Sequence, residues 1–144
     1  MKIVSPPAPP ASRPPQAARR KQLVWWGIVG AYAAAVFVVS VIPINVDVNV
    51  PYLDKGVHVC EYLLFAWLLV QAVRATRMPE RDYLLWAWIY ATSYGILIEI
   101  VQAMIPWRSA EVADAVANAV GAACGVWIGE RIPRTPFGSD ATTE

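Results

Sequence analysis

Four stretches of this chain are too long and too apolar for a water-soluble surface, and they limit it to one kind of fold. They cover residues 23–42, 57–73, 83–105 and 112–128. The first runs without a charged residue, matching the roughly 20 residues needed to cross the hydrocarbon of a bilayer. It exceeds the core of about 7–15 residues found in a signal peptide, so it reads as an uncleaved first span, closed by Pro43. The second run is short and contains His58 and Glu61. Between other spans it reads as a membrane helix with a polar mouth. The third carries Trp86 and Trp88 near its start, where interfacial aromatic residues sit, and the fourth is rich in Ala and Gly. With 57% hydrophobic and 16% charged residues in 144, a soluble domain would lack the interior to bury all four. The expected fold is all-α: a polytopic membrane protein with four transmembrane helices in a small bundle.

The remainder divides simply. Residues 1–21 are rich in Pro and Ala and end in Arg19-Arg20-Lys21, the composition of a disordered tail. Residues 22–132 form the membrane domain, and residues 133–144 a second tail. A net charge of +1 gives no footprint for nucleic acid. Cys60 and Cys124 fall within apolar runs and read as unpaired, buried, small hydrophobes.

Charge asymmetry sets an expected orientation. Ten of the 12 Lys and Arg residues lie in the N-tail, the middle loop, or near the C-terminus; only Lys55 and Arg108 lie on the other side. Positive charge accumulates on the cytoplasmic side, so both termini are expected there.

That orientation gathers the unusual residues at one depth. His58 and Glu61 open the second span at the outer face, Glu99 and Gln102 end the third, and Asp114 and Asn118 begin the fourth. Asp54, Lys55 and Arg108 fall in the outer loops. Ionisable residues in membrane spans are costly and usually face the bundle interior or a functional site. Residues 114, 118, 121 and 125 step by four, three and four, one stripe of a helix. Gly121, Gly125 and Gly129, with Ala117 on the same side, form overlapping small-xxx-small repeats that let a neighbouring helix approach. The first span offers only Tyr32 and Ser40 and is expected at the periphery.

Two patterns resemble a known family. Asp54-Lys55-x-x-His58-x-x-Glu61-Tyr62 is similar to one signature of the VanZ-like membrane proteins. Glu99-x-x-Gln102-x-x-x-Pro106-x-Arg108, followed by Asp114-x-x-x-Asn118-x-x-Gly121-x-x-x-Gly125, resembles the other. The resemblance covers roughly residues 23–130. It implies a small multi-pass protein of the bacterial cytoplasmic membrane, and the family's namesake is linked to low-level resistance to the glycopeptide teicoplanin. It carries over no cofactor.

Several chemistries fit these residues. His58, Glu61, Glu99 and Asp114 are candidate ligands of a transition metal or, without the histidine, of a hard cation. The same four are candidate acids and bases for catalysis on a lipid-linked envelope precursor. Lys55, Gln102, Arg108 and Asn118 are candidate ligand-binding residues, the Arg a fork for phosphate or carboxylate. A non-catalytic binder would use the same groups for recognition. Alternatively they hold helices together, Arg108 pairing Glu99 or Asp114 and Lys55 pairing Glu61. The inner halves of the spans lack a polar path, which argues against a channel.

Overall fold

The computed structural model describes residues 16–43, 53–76 and 80–132. Four helices make up the described chain: α1 (Gln16–Val41), α2 (Leu53–Arg74), α3 (Glu80–Ala103) and α4 (Val112–Arg131). Each contains a stretch long and apolar enough to cross a membrane, and no strand occurs among the described residues. The expected all-α, four-span architecture is therefore present. The Pro-rich residues 1–15, the first connection at 44–52, residues 77–79 and the tail at 133–144 lie outside the described residues.

Three helix starts precede the expected ones; α3 begins at Glu80 rather than at residue 83, and the other two starts have a local reason. α1 begins at Gln16, inside the stretch expected as tail. The segment Gln16-Ala-Ala-Arg-Arg-Lys21 follows the last Pro of the tail and consists of strong helix formers. α2 begins at Leu53, with Asp54 in its first turn, where a carboxylate complements the positive end of the helix dipole. Asp54 and Lys55 are thus helical rather than loop residues. Lys55 and His58 consequently stand three apart on one helical face.

The bundle is organised around α2, which packs against all three other helices. Tyr62, Phe65, Ala66 and the continuous run from Leu68 to Val73 are buried. Its tightest partner is α4, and glycine is the cause. A Cβ added at Gly121 would meet the Val59 backbone carbonyl, and one at Gly125 the Leu63 carbonyl. Small residues in membrane helices permit this backbone-to-backbone approach. The expected inward small-residue face of α4 is thus the α2–α4 seam.

Helix α1 sits at the edge. Only Val29, Val36 and Ser40 of it are buried, as its lack of polar groups suggested. Tyr32 stacks on Phe65 at 5.9 Å and donates its hydroxyl proton to the Glu61 carbonyl at 3.0 Å. Tyr94 of α3 donates to the Ala33 carbonyl at 2.7 Å.

The helices alternate in direction. The C-terminal ends of α1 and α3 meet where Gln102 reaches Ser40. The N-terminal turns of α2 and α4 meet where Lys55 reaches Asp114. At the opposite end Arg74 of α2 donates to Tyr83 of α3 and to the Glu130 and Ile132 carbonyls at the end of α4. The outward faces carry large apolar residues on every helix, among them Val24, Leu85, Leu97 and Val120. A surface this apolar suits contact with lipid. Cys60 and Cys124 are unpaired as expected, but both are exposed on this outer face rather than buried. Neither lies on the stripe that packs inward.

Candidate functional site

The end of the bundle where α2 and α4 start holds a buried polar cluster. Glu99, Gln102, Asp114 and Asn118 are all buried, Asn118 to 1% exposure. They enter from the last turns of α3 and the first two turns of α4, facing the first turns of α2. Gly95 on α3 makes room: a Cβ there would stand 3.0 Å from side-chain atoms of both Asn118 and Tyr62.

Lys55 is the hub of the cluster's outer rim. Its ammonium donates to Asp114 Oδ1 at 2.7 Å, to Glu111 Oε2 at 3.0 Å and to Asp54 Oδ2 at 3.0 Å. One cation therefore serves three carboxylates. Asp114 is the least exposed of these partners, its side chain 11% accessible.

Behind this rim lie His58, Asn118 and Glu99. His58 Nδ1 is 3.1 Å from Asn118 Oδ1, a hydrogen bond in which the ring nitrogen donates. That tautomer leaves the lone pair of Nε2 directed toward Asp114, whose Oδ2 is 3.8 Å away, beyond hydrogen-bond reach. Glu99 accepts the backbone N–H of Glu111 at Oε2, 3.2 Å distant, while its Oε1 is buried without a partner. Asn118 Nδ2 and Tyr62 Oη are likewise buried and unpartnered. Such orphans are uncommon in native structures and ask for an occupant. His58, Glu99 and Asp114 each place a potential ligand atom within 4.8 Å of the other two.

Not every expected site residue joins this group. Gln102 donates to the Ser40 carbonyl at 3.1 Å. Arg108 donates from Nη2 to the Val39 and Ile42 carbonyls at 2.9 and 3.1 Å. Both therefore tie α3 and its following turn to the C-terminal end of α1, where free carbonyls and the negative end of the dipole favour donors and cations. The expected pairs of Arg108 with Glu99 or Asp114, and of Lys55 with Glu61, do not form. The basic residues Lys55 and Arg108 consequently do not make a joint anion fork. Glu61 follows His58 by one turn of α2, is half-buried, and stays outside the three converging ligand atoms.

Glu111 is the participant that sequence reasoning missed. It stands at the N-cap position of α4 in extended conformation. Its backbone positions Glu99 while its side chain shares Lys55. The available signal was its spacing of three from Asp114, which places both acids at the start of one helix.

No curated protein and no solved structure matches the chain. The VanZ/LLP1 family matches residues 8–132, a span that takes in all four helices and every residue of the polar cluster. By that match, this chain belongs to the VanZ/LLP1 family.

Proposed function

We propose that the polar cluster is the functional centre of this VanZ-family protein, placed at the outer leaflet of the bacterial cytoplasmic membrane, where it receives the headgroup of a lipid-linked cell-envelope precursor. The observation that carries this reading is that Glu99 Oε1, Asn118 Nδ2 and Tyr62 Oη, three of the six buried polar atoms without a partner among the described residues, belong to side chains in or next to this cluster. Polar groups that only hold helices together satisfy one another, and these leave hydrogen-bonding capacity unused. The leaflet follows from the distribution of basic residues.

The chemistry of the centre narrows what it would take. Asp54, Glu111 and Asp114 are three carboxylates on one ammonium, Lys55, and Glu99 adds a fourth carboxylate that accepts the Glu111 N–H. A headgroup would engage them through ammonium or amide donors, as on a peptide-bearing precursor or a glycopeptide-type antibiotic such as teicoplanin. Bare phosphate would be repelled.

Mass spectrometry of lipids retained by the protein in mild detergent tests the proposal. The expected result is enrichment of a peptide-bearing envelope lipid with the parent protein, lost in Glu99→Gln and Asp114→Asn while the melting temperature stays close to that of the parent. A second reading is favoured by the ties of Lys55 to Asp114 and His58 to Asn118, which bridge α2 and α4. On that reading the cluster is a structural fastening. Absence of a retained lipid, together with a large loss of stability in both variants, would replace the first reading with the second.

A further inference from the structure

The geometry points to a divalent first-row metal ion held between His58, Glu99 and Asp114. The inference uses the side chains of the proposed headgroup centre, yet it stands on their mutual geometry and is tested separately.

Three groups able to offer lone pairs converge here. They are the imidazole of His58, the carboxylate of Glu99 and the carboxylate of Asp114, with ligand atoms all within 4.8 Å of one another. They come from three different helices, so no local turn or helical spacing brings them together. The His58 Nε2 to Asp114 Oδ2 gap of 3.8 Å is too long for a hydrogen bond. Donor atoms sharing one ion at about 2.0–2.2 Å stand roughly 3.0–3.5 Å apart. Small side-chain rotations of two of the groups close that difference.

The surroundings are those of a metal centre. A ligating histidine characteristically donates its second ring N–H to a fixed acceptor, which sets the tautomer. Here Asn118 Oδ1 takes that place, and Asn118 is 1% exposed and thus held firmly. Each ligating carboxylate is anchored through one oxygen and free through the other. Asp114 gives Oδ1 to Lys55 and turns Oδ2 toward His58. Glu99 gives Oε2 to the Glu111 N–H, while Oε1 is unpartnered on a side chain only 7% exposed. That orphaned oxygen is independent of the acidic composition, and it asks for a cation. The rim of half-exposed Glu111 and exposed Asp54 gives an ion an approach from the membrane surface.

One nitrogen and two carboxylate oxygens suit Zn²⁺, Mn²⁺ or Fe²⁺ rather than a thiophilic ion. With three protein ligands, the ion would retain open positions for water or for a ligand of the centre.

The test is titration of chelator-treated, detergent-solubilised full-length protein with Co²⁺ as a spectroscopic stand-in, followed by displacement with Zn²⁺ and Mn²⁺ and elemental analysis. The expected result is stoichiometric uptake, a visible d–d band for bound Co²⁺, and nitrogen hyperfine coupling for bound Mn²⁺. His58→Ala should abolish that coupling and the uptake. Asn118→Ala, which removes only the acceptor behind His58, should weaken binding about 10- to 100-fold. Helical circular dichroism of each variant reports whether it is folded. Should a variant unfold, the parent protein decides alone: failure to take up any of the three ions above a detergent blank overturns the inference, as does undiminished uptake by folded His58→Ala. Lipid retention measured on chelator-treated protein separates the two readings. Protein that binds no ion yet keeps its lipid sinks the metal centre only. Protein that binds an ion yet keeps no lipid sinks the headgroup reading only.

Discussion

Individual residues at the polar end divide into two sets by what they touch. Gln102 and Arg108 donate to the carbonyls that end α1. Lys55, His58, Glu99, Asp114 and Asn118 touch or face one another across α2, α3 and α4. The division predicts opposite phenotypes for neighbouring side chains. Gln102→Met keeps the volume but removes a buried hydrogen bond, and should cost about 0.5–1.5 kcal/mol of stability. It should leave ion uptake and lipid retention unchanged, because Gln102 supplies nothing to the centre. Arg108→Ala should cost about 1 kcal/mol by the same measure and likewise spare the centre. Thermal melting in detergent, run beside a Co²⁺ titration, checks both. A loss of Co²⁺ binding in Gln102→Met would show that the two sets are not separate. The sequence made these seven positions legible as a group, because ionisable and amide residues are conspicuous in or beside apolar runs. It did not reveal their partners. Arg108 and Glu99 stand nine apart, and nothing in that spacing states that α1 ends within reach of the Arg. Partner choice depends on the rotation of each helix about its axis, which packing fixes.

At the scale of the helices, the α2–α4 seam controls that rotation. Val59 and Leu63 of α2 lie over Gly121 and Gly125, backbone against backbone. The contact lies one to two turns below the cluster on the same two helices, and so sets the register in which Lys55 meets Asp114 and His58 meets Asn118. Gly125→Leu forces a side chain into the space of the Leu63 carbonyl and should cost at least the roughly 1–3 kcal/mol typical of overpacking. Gly30 on α1 has nothing within 4 Å of an added Cβ, and Gly30→Leu should be close to neutral. Yield and melting temperature of the two variants, measured side by side, check the contrast; equal behaviour would mean that the seam is not closed. This element-level feature was readable in advance, since overlapping small-xxx-small spacing has one physical use in a membrane helix. The helix starts were less readable. Hydropathy marks where apolar residues begin, whereas α1 and α2 extend past that point through Arg19–Lys21 and through Asp54–Lys55. Charged side chains at a span's end keep their heads in water while their backbone stays helical.

For the whole molecule, the two ends of the bundle differ in a way that bears on its orientation. One end carries the carboxylate-rich cluster. The other carries Arg74, whose guanidinium binds the last carbonyls of α4 and stacks over Tyr83 at 5.3 Å, and Arg131 over the Trp127 ring at 4.1 Å. Alternating helix directions put the start of α1, with Arg19, Arg20 and Lys21, at that same basic end. Basic residues flanking short loops orient a membrane protein with that end toward the cytoplasm, and cation–aromatic pairs of this kind suit the interface. On the proposed orientation the carboxylate-rich end faces outward, the side on which the headgroup reading needs it. Fusions of alkaline phosphatase, active only outside, and of a green fluorescent protein, bright only inside, decide this. Junctions after Val48 and Ala110 should give phosphatase activity, and a junction after Met78 should give fluorescence. Phosphatase activity at Met78 would invert the bundle and place the cluster in the cytoplasm. The headgroup reading would then fail for want of an outer-leaflet ligand, while the metal centre, which rests on distances within the bundle, would be unaffected.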